Sequence, residues 1–134
     1  KGQIKVGMQN LEYSKDDNGF VIIENNNVLA NIHFSFVRWK NQFSLEISGK
    51  EGYVTVESLP KWGKQTVTYG KRIYPSGMPE QTSWEYDTEN SWCNEWDYFL
   101  SCIKRQEPKY DVEEGFQSMK LAENIRSLAE RKND

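Results

Sequence analysis

The sequence predicts an α+β fold in which strands occupy the first two thirds of the chain and helices the last third. Apolar and polar residues alternate in several short runs between residues 4 and 87, and turn-forming Asn, Asp, Gly and Pro residues separate these runs. From residue 90 onward, apolar residues recur at helical spacing. We therefore expect a largely antiparallel, open-faced sheet of about six or seven strands, with two C-terminal helices packed on one face.

Alternation along the strands assigns side chains to the two faces of this predicted sheet. The apolar positions, which should face the helices, are Ile32, Phe34, Phe36, Phe43, Leu45 and Ile47. The opposite, semi-polar face comprises Asn31, His33, Ser35, Ser44, Glu46, Tyr53, Thr55 and Glu57. No element of the chain is left to cover this second face, so it is either solvated or a partner surface. We expect a homo-oligomer that forms through it.

Two polar segments between strands are predicted turns. Gly49-Lys50-Glu51-Gly52 has the composition of either a phosphate loop or a hairpin. A phosphate loop needs a different glycine spacing and a helix after it, whereas a strand-like run follows here. We therefore predict a hairpin in which glycine supplies positive φ. Asn25-Asn26-Asn27 is a second predicted turn, because Asn tolerates the left-handed conformation.

Two amphipathic helices are predicted after residue 90. The first has the stripe Trp92, Trp96, Phe99, Leu100 and Ile103 and should be capped by Asn90 or Ser91. The second should begin at Asp111 in a capping-box-like start. Its apolar residues are Val112, Phe116, Met119, Leu121, Ile125, Leu128 and Ala129.

Length, charge and cysteine content narrow the class of protein. The 134 residues suit a single domain, and the net charge of −3 argues against a nucleic-acid partner. No apolar run is long enough to cross a membrane. Cys93 and Cys102 should lie on opposite faces of the first helix, about 13 Å apart along its axis, and cannot pair there. Two unpaired thiols predict a cytoplasmic protein, and a single histidine predicts no metal site.

Two groups of residues are candidate functional sites. Cations and aromatic rings interleave at Lys61, Trp62, Tyr69, Lys71 and Arg72, a pattern that either binds a sugar or phosphate or marks a solvated edge strand. His33 is either a catalytic base, as in an unrelated hydrolase or lyase, or a residue of the open sheet face. No nucleophile motif accompanies it, which favours the second alternative.

The C-terminal helices resemble the end of the glucose–fructose oxidoreductase / inositol dehydrogenase / MocA family. The family's first helix motif is matched by Trp92, Glu95, Phe99, Ile103 and Pro108, and its second by the run EGFQSMKLAENI, Glu114 to Ile125. Glu114 replaces the usual aspartate. The strands from Phe20 to Leu59 are similar to the family's strand series, and the resemblance covers about residues 4–130.

The resemblance implies the C-terminal, substrate-binding and oligomerisation domain of an NAD(P)-dependent oxidoreductase acting on a sugar, sugar nucleotide or cyclitol. In the family, an N-terminal Rossmann domain binds NAD or NADP and supplies a catalytic lysine. This sequence has neither the glycine-rich fingerprint nor the Glu-Lys-Pro motif. The family's catalytic histidine follows an aspartate by four residues, whereas Leu29 stands four residues before His33.

These departures imply that the chain lacks the family's reactive groups. We therefore expect no catalytic, cofactor-binding or metal-binding residue in this chain, and we expect that it is inactive alone. A free-standing binding or assembly module with the same domain is the alternative.

Overall fold

The computed structural model describes residues 2–13, 17–106 and 112–130. The chain divides into two compact units, one of residues 1–39 with 107–134 and the other of residues 40–106. The α+β prediction is confirmed, because antiparallel strands precede two helices. The prediction of one six- or seven-stranded sheet is wrong, since the seven described strands form a three-stranded and a four-stranded sheet.

The first unit contains a three-stranded antiparallel sheet of β1 (Gln3–Gln9), β2 (Asn18–Asn25) and β3 (Val28–Ser35), in that order. A two-residue turn joins β2 to β3, because Asn25 lies opposite Val28. Within this turn Asn26 has φ of 51°. The predicted asparagine turn is thereby confirmed, together with its left-handed backbone.

The core of the first unit lies between this sheet and α2 (Val112–Glu130). Val6 and Val21 are opposite each other in β1 and β2, and both are buried with Ala129 of α2. Ile4, Met8, Ile23, Phe34, Ile125 and Leu128 pack around these three. Only the C-terminal half of α2 joins the core, because Met119 nearer its start is 70% exposed. The predicted start at Asp111 lies outside the described residues.

The second unit contains a four-stranded antiparallel sheet in sequence order. Its strands are β4 (Ser44–Ser48), β5 (Gly52–Glu57), β6 (Gln65–Lys71) and β7 (Glu80–Tyr86). The register aligns Leu45, Val56, Val67 and Trp84 in one row across the sheet. Since neighbouring residues of a strand point to opposite faces, one face is largely apolar and the other polar. A short 3-10 helix, Pro60–Trp62, connects β5 to β6.

β3 ends at Ser35 and β4 begins at Ser44, and the residues between them form no strand. The backbone N–H of Phe36 donates to the carbonyl of Asp17 at 2.7 Å, and the Arg38 guanidinium donates to the His33 ring at 2.8 Å. These contacts hold residues 36–38 within the first unit. The sequence pattern placed Phe36 among the apolar positions of the sheet, whereas β3 ends one residue before it.

The two helices belong to different units, so the prediction that both pack on one sheet face is wrong. α1 (Ser91–Arg105) is in the second unit, and its large apolar side chains remain exposed, with Trp92 at 78%. Asn90 precedes the helix but makes no side-chain cap. Both cysteines are free and lie on α1. No described helix is long and apolar enough to cross a lipid bilayer.

Candidate functional site

The Gly49–Gly52 segment is a hairpin, as predicted. The N–H of Gly49 donates to the carbonyl of Gly52 at 2.8 Å, and β5 follows directly. The predicted reason for glycine is wrong, because neither residue has φ in the left-handed range. Gly52 is instead required by space, since a Cβ there would collide with the carbonyl oxygen of Gly70. With no helix after it, this loop does not fit the pyrophosphate of a dinucleotide.

The five predicted substrate residues lie at two ends of β6. Lys61 and Trp62 are in the 3-10 helix before this strand, with the Lys61 ammonium 5.0 Å from the Trp62 ring centroid. Lys71 ends the strand, and the Arg72 guanidinium lies 4.6 Å from the Tyr74 ring centroid. The strand is about 20 Å long at 3.3 Å per residue. The five residues therefore do not form one site.

Lys61 borders a cavity with a volume of about 500 Å³, which we call the α1 cavity. The 3-10 helix, the paired residues Gln65 and Tyr86, and the first turns of α1 form its walls. Trp92, Asn94 and Glu95 line it from α1. Sequence reasoning missed these residues as site residues, because the helical spacing of Trp92 favours core packing over a ligand contact. The sequence feature that could have indicated a site is the presence of Trp92, Asn94 and Glu95 within one helical turn.

Glu89 fixes one wall of the α1 cavity. Its carboxylate accepts hydrogen bonds from the backbone N–H of Ser91, at 2.9 Å, and from the Ser91 hydroxyl. These bonds, foremost the one from the hydroxyl, hold the pKa of Glu89 below its usual value, and the positive charge of Lys61 contributes. Glu89 therefore takes the capping role that was predicted for Asn90 or Ser91. It also ties the start of α1 to the 3-10 helix.

The remaining predicted substrate residues face other surroundings. Trp62 lines a second cavity of about 470 Å³ with Phe43 and Lys64, whose ammonium is paired with Glu85 at 2.9 Å. Arg72 lines a third cavity of about 200 Å³ beside Gly70. Tyr69 shares the apolar face of the sheet with Val54, its register partner. Lys61 is thus the predicted residue that borders the α1 cavity.

The predicted interface residues are divided between the two sheets. Asn31, His33 and Ser35 share the face of the first sheet opposite Phe34, which packs on the core. The other five share the polar face of the second sheet and are Ser44, Glu46, Tyr53, Thr55 and Glu57. Ser44 donates to Glu57 across the β4–β5 pair at 2.7 Å. The eight residues therefore lie on two sheets, one in each unit.

His33 has hydrogen-bonding partners at both ring nitrogens. Its ring stacks on Phe20 with centroids 4.1 Å apart and planes 9° from parallel. Nδ1 accepts from Arg38 at 2.8 Å, which places the proton on Nε2, where it faces Asn18 Oδ1 at 3.3 Å. Both ring nitrogens therefore have hydrogen-bonding partners in this arrangement. Among the described residues, no group of three or more His, Cys, Asp or Glu could hold a metal ion.

Comparison of the chain with models of protein families, with curated proteins and with solved structures gives no match. The family resemblance in the helices and strands therefore stays a prediction. Function is accordingly inferred from the geometry of the two units and from the order of the sequence motifs.

Proposed function

We propose that this chain is the substrate-binding and oligomerisation part of an NAD(P)-dependent oxidoreductase acting on a sugar, sugar nucleotide or cyclitol. By itself it is catalytically inactive, and it functions in the cytoplasm. NAD or NADP binds in another part of the parent enzyme. This chain supplies a surface for the substrate and a surface for a second copy.

The observation that supports this proposal most directly is the α1 cavity beside an open sheet. Its volume of about 500 Å³ lies within the range of about 300–1,000 Å³ that is typical of small-molecule sites. Lys61, one of the residues expected to hold substrate, lies on its border. The α1 residues Trp92 and Glu95, which match the family's first helix motif, line the same cavity.

The polar face of the second sheet supports the assembly part of the proposal. Its side chains are polar, and some of them are joined across the strands, as in the Thr68–Ser83 hydrogen bond of 2.9 Å. A surface of mixed polarity suits contact between folded domains. Two-fold symmetry is the usual arrangement for a self-complementary face. Like charges introduced at its centre would then meet across the interface.

A free-standing binding or assembly module is the alternative. The apolar face of the second sheet favours it, because Ile47 at 60% and Trp84 at 46% exposure present an additional surface for a partner. The two alternatives differ in the parent chain, because an adjoining cofactor-binding domain belongs only to the oxidoreductase.

Sedimentation equilibrium of three proteins tests the assembly part. We expect the parent chain to be a dimer at tens of micromolar. Thr55→Glu, on the polar face, should shift it to monomer, because a carboxylate would lie close to its symmetry mate. Ile47→Glu is the matched control on the opposite face and should remain dimeric.

Two other outcomes of the sedimentation experiment would contradict the assembly part of the proposal. A monomeric parent would remove self-association from the proposal. If Ile47→Glu dissociates the dimer and Thr55→Glu does not, the dimer contact lies on the apolar face. Far-UV circular dichroism of both variants checks that the strands are retained.

A further inference from the structure

The walls of the α1 cavity suit a ligand with several hydroxyl groups. Trp92 and Tyr86 expose 78% and 49% of their surface, respectively, and provide flat aromatic area. Asn94 and Glu95 add an amide and a carboxylate. A hydroxyl group both donates and accepts hydrogen bonds, as an amide does, whereas a carboxylate accepts. Aromatic surface beside a few convergent polar groups is the usual composition of a small-molecule site.

The polar groups of this wall are available to a ligand. Within the described part of the chain, the side chains of Tyr86, Asn94 and Glu95 make no hydrogen bond to other residues. Glu89, by contrast, is bound by Ser91 and maintains the shape of the wall. The cavity therefore has one carboxylate, of Glu89, that is held by hydrogen bonds. The side chains of Tyr86, Asn94 and Glu95 remain available to hydrogen-bond a ligand.

Charge at the cavity disfavours an anionic ligand. The lining has one ammonium, of Lys61, against the two carboxylates of Glu89 and Glu95. The Lys61 ammonium also lies over the Trp62 ring, at 5.0 Å from its centroid. A phosphate group would bring a further negative charge beside the carboxylates, and like charges at close range disfavour binding.

We propose that the α1 cavity binds a neutral saccharide or cyclitol ring in preference to a phosphorylated or nucleotide-linked sugar. This inference rests on the proposed function and deepens it, because it names the site and the substrate class. Trp92 stacks on the ring of the ligand. Asn94 and Glu95 bind its hydroxyl groups and set the preference against phosphate.

Ligand-observed and amide-observed NMR titrations of the full chain test this inference with three probes. The probes are methyl α-glucoside, myo-inositol and glucose 6-phosphate. We expect millimolar affinity for at least one neutral probe, with amide shifts at residues around Trp92 and Glu95, and no saturable shift there with glucose 6-phosphate. Trp92→Ala should weaken binding of the neutral probe by about tenfold or more. Glu95→Gln should improve binding of glucose 6-phosphate relative to the neutral probes.

The matched control is Trp39→Ala, since Trp39 is fully exposed in the first unit and should leave binding unchanged. The inference is overturned if neither neutral probe binds at tens of millimolar, if glucose 6-phosphate binds more tightly, or if Trp92→Ala binds as the parent does. Self-association and cofactor binding are measured independently of this cavity. If the saccharide titrations fail, the proposed function of the chain still stands. If the proposed function fails, the saccharide titrations can still be interpreted.

Discussion

The aromatic ring of Tyr53 lies against the backbone of Gly70, its register partner on the adjacent strand. The Tyr53 hydroxyl accepts a hydrogen bond from the side-chain amide of Gln81 one strand further on. The ring thus crosses β6, where a side chain at position 70 would otherwise stand. Such an aromatic cover over a strand glycine compensates for the packing that glycine lacks.

Gly70→Ala should destabilise the chain because its methyl group would collide with the Tyr53 ring. We expect a loss of about 1–3 kcal/mol in the free energy of unfolding, which is typical of overpacking. Gly7→Ala is the matched control, since a Cβ at this position of β1 would have no other atom within 4 Å. Urea unfolding followed by circular dichroism measures both. Adding Tyr53→Ala to Gly70→Ala should recover part of the loss, and no recovery would contradict the collision.

Asp17 should make the first unit sensitive to acid. Its side chain is 2% exposed and accepts hydrogen bonds from the backbone N–H groups of Leu11, Glu12 and Tyr13, at 2.8–3.0 Å. These bonds, that from Glu12 foremost, lower the pKa of Asp17. Its stabilising contribution is therefore complete above the unfolded pKa of about 3.9 and is lost as the pH falls through the lower folded pKa.

Asp17→Asn tests the stabilising contribution of the Asp17 carboxylate. At neutral pH we expect a melting temperature several degrees below that of the parent, because an amide presents one acceptor oxygen and directs its own donors at N–H groups. The difference should shrink as the pH falls below about 4. Asp97→Asn, at an exposed position of α1, should leave the melting temperature at neutral pH unchanged. A difference between parent and Asp17→Asn that stays constant down to a pH of about 2 would refute the carboxylate's role.

Gly115→Ala should stabilise α2. Gly115 lies within this helix, and no atom stands within 4 Å of an added Cβ. Glycine in a helix interior is less favourable than alanine by about 0.5–1 kcal/mol, because it loses more backbone entropy on folding. We expect a gain of this size in urea unfolding. An unchanged or lower midpoint would show that α2 is not helical around this position.

Strand and helix positions could be predicted because they depend on local pattern. Alternation at Ser44–Ile47 and Tyr53–Glu57 assigned each side chain to the correct face of its own sheet, and the stripe from Trp92 to Ile103 located α1. The division into two sheets could not be predicted. Where β3 ends, Phe36 contacts Asp17 and Arg38 contacts His33, and the local alternation of apolar and polar residues carries no information about such contacts.

The candidate site was harder to predict from the sequence than the strands and helices were. The interleaved cations and rings from Lys61 to Arg72 suggested one site, yet a strand places its two ends far apart. The α1 cavity combines residues from 59 to 95, and the pairing of Gln65 with Tyr86 brings them together. Trp92 has the spacing of a core residue, and only its exposure of 78% in the structure favours the ligand contact proposed for it.

Calorimetric titration of the 134-residue chain with NAD and with NADP tests the central claim most directly. The claim is that this chain holds substrate and assembles but has no dinucleotide site, since its Gly49–Gly52 loop leads into a strand. A dehydrogenase with a Rossmann domain, titrated under the same conditions, serves as the positive control. We predict no saturable heat with either cofactor. A micromolar dissociation constant for NAD or NADP would contradict the account.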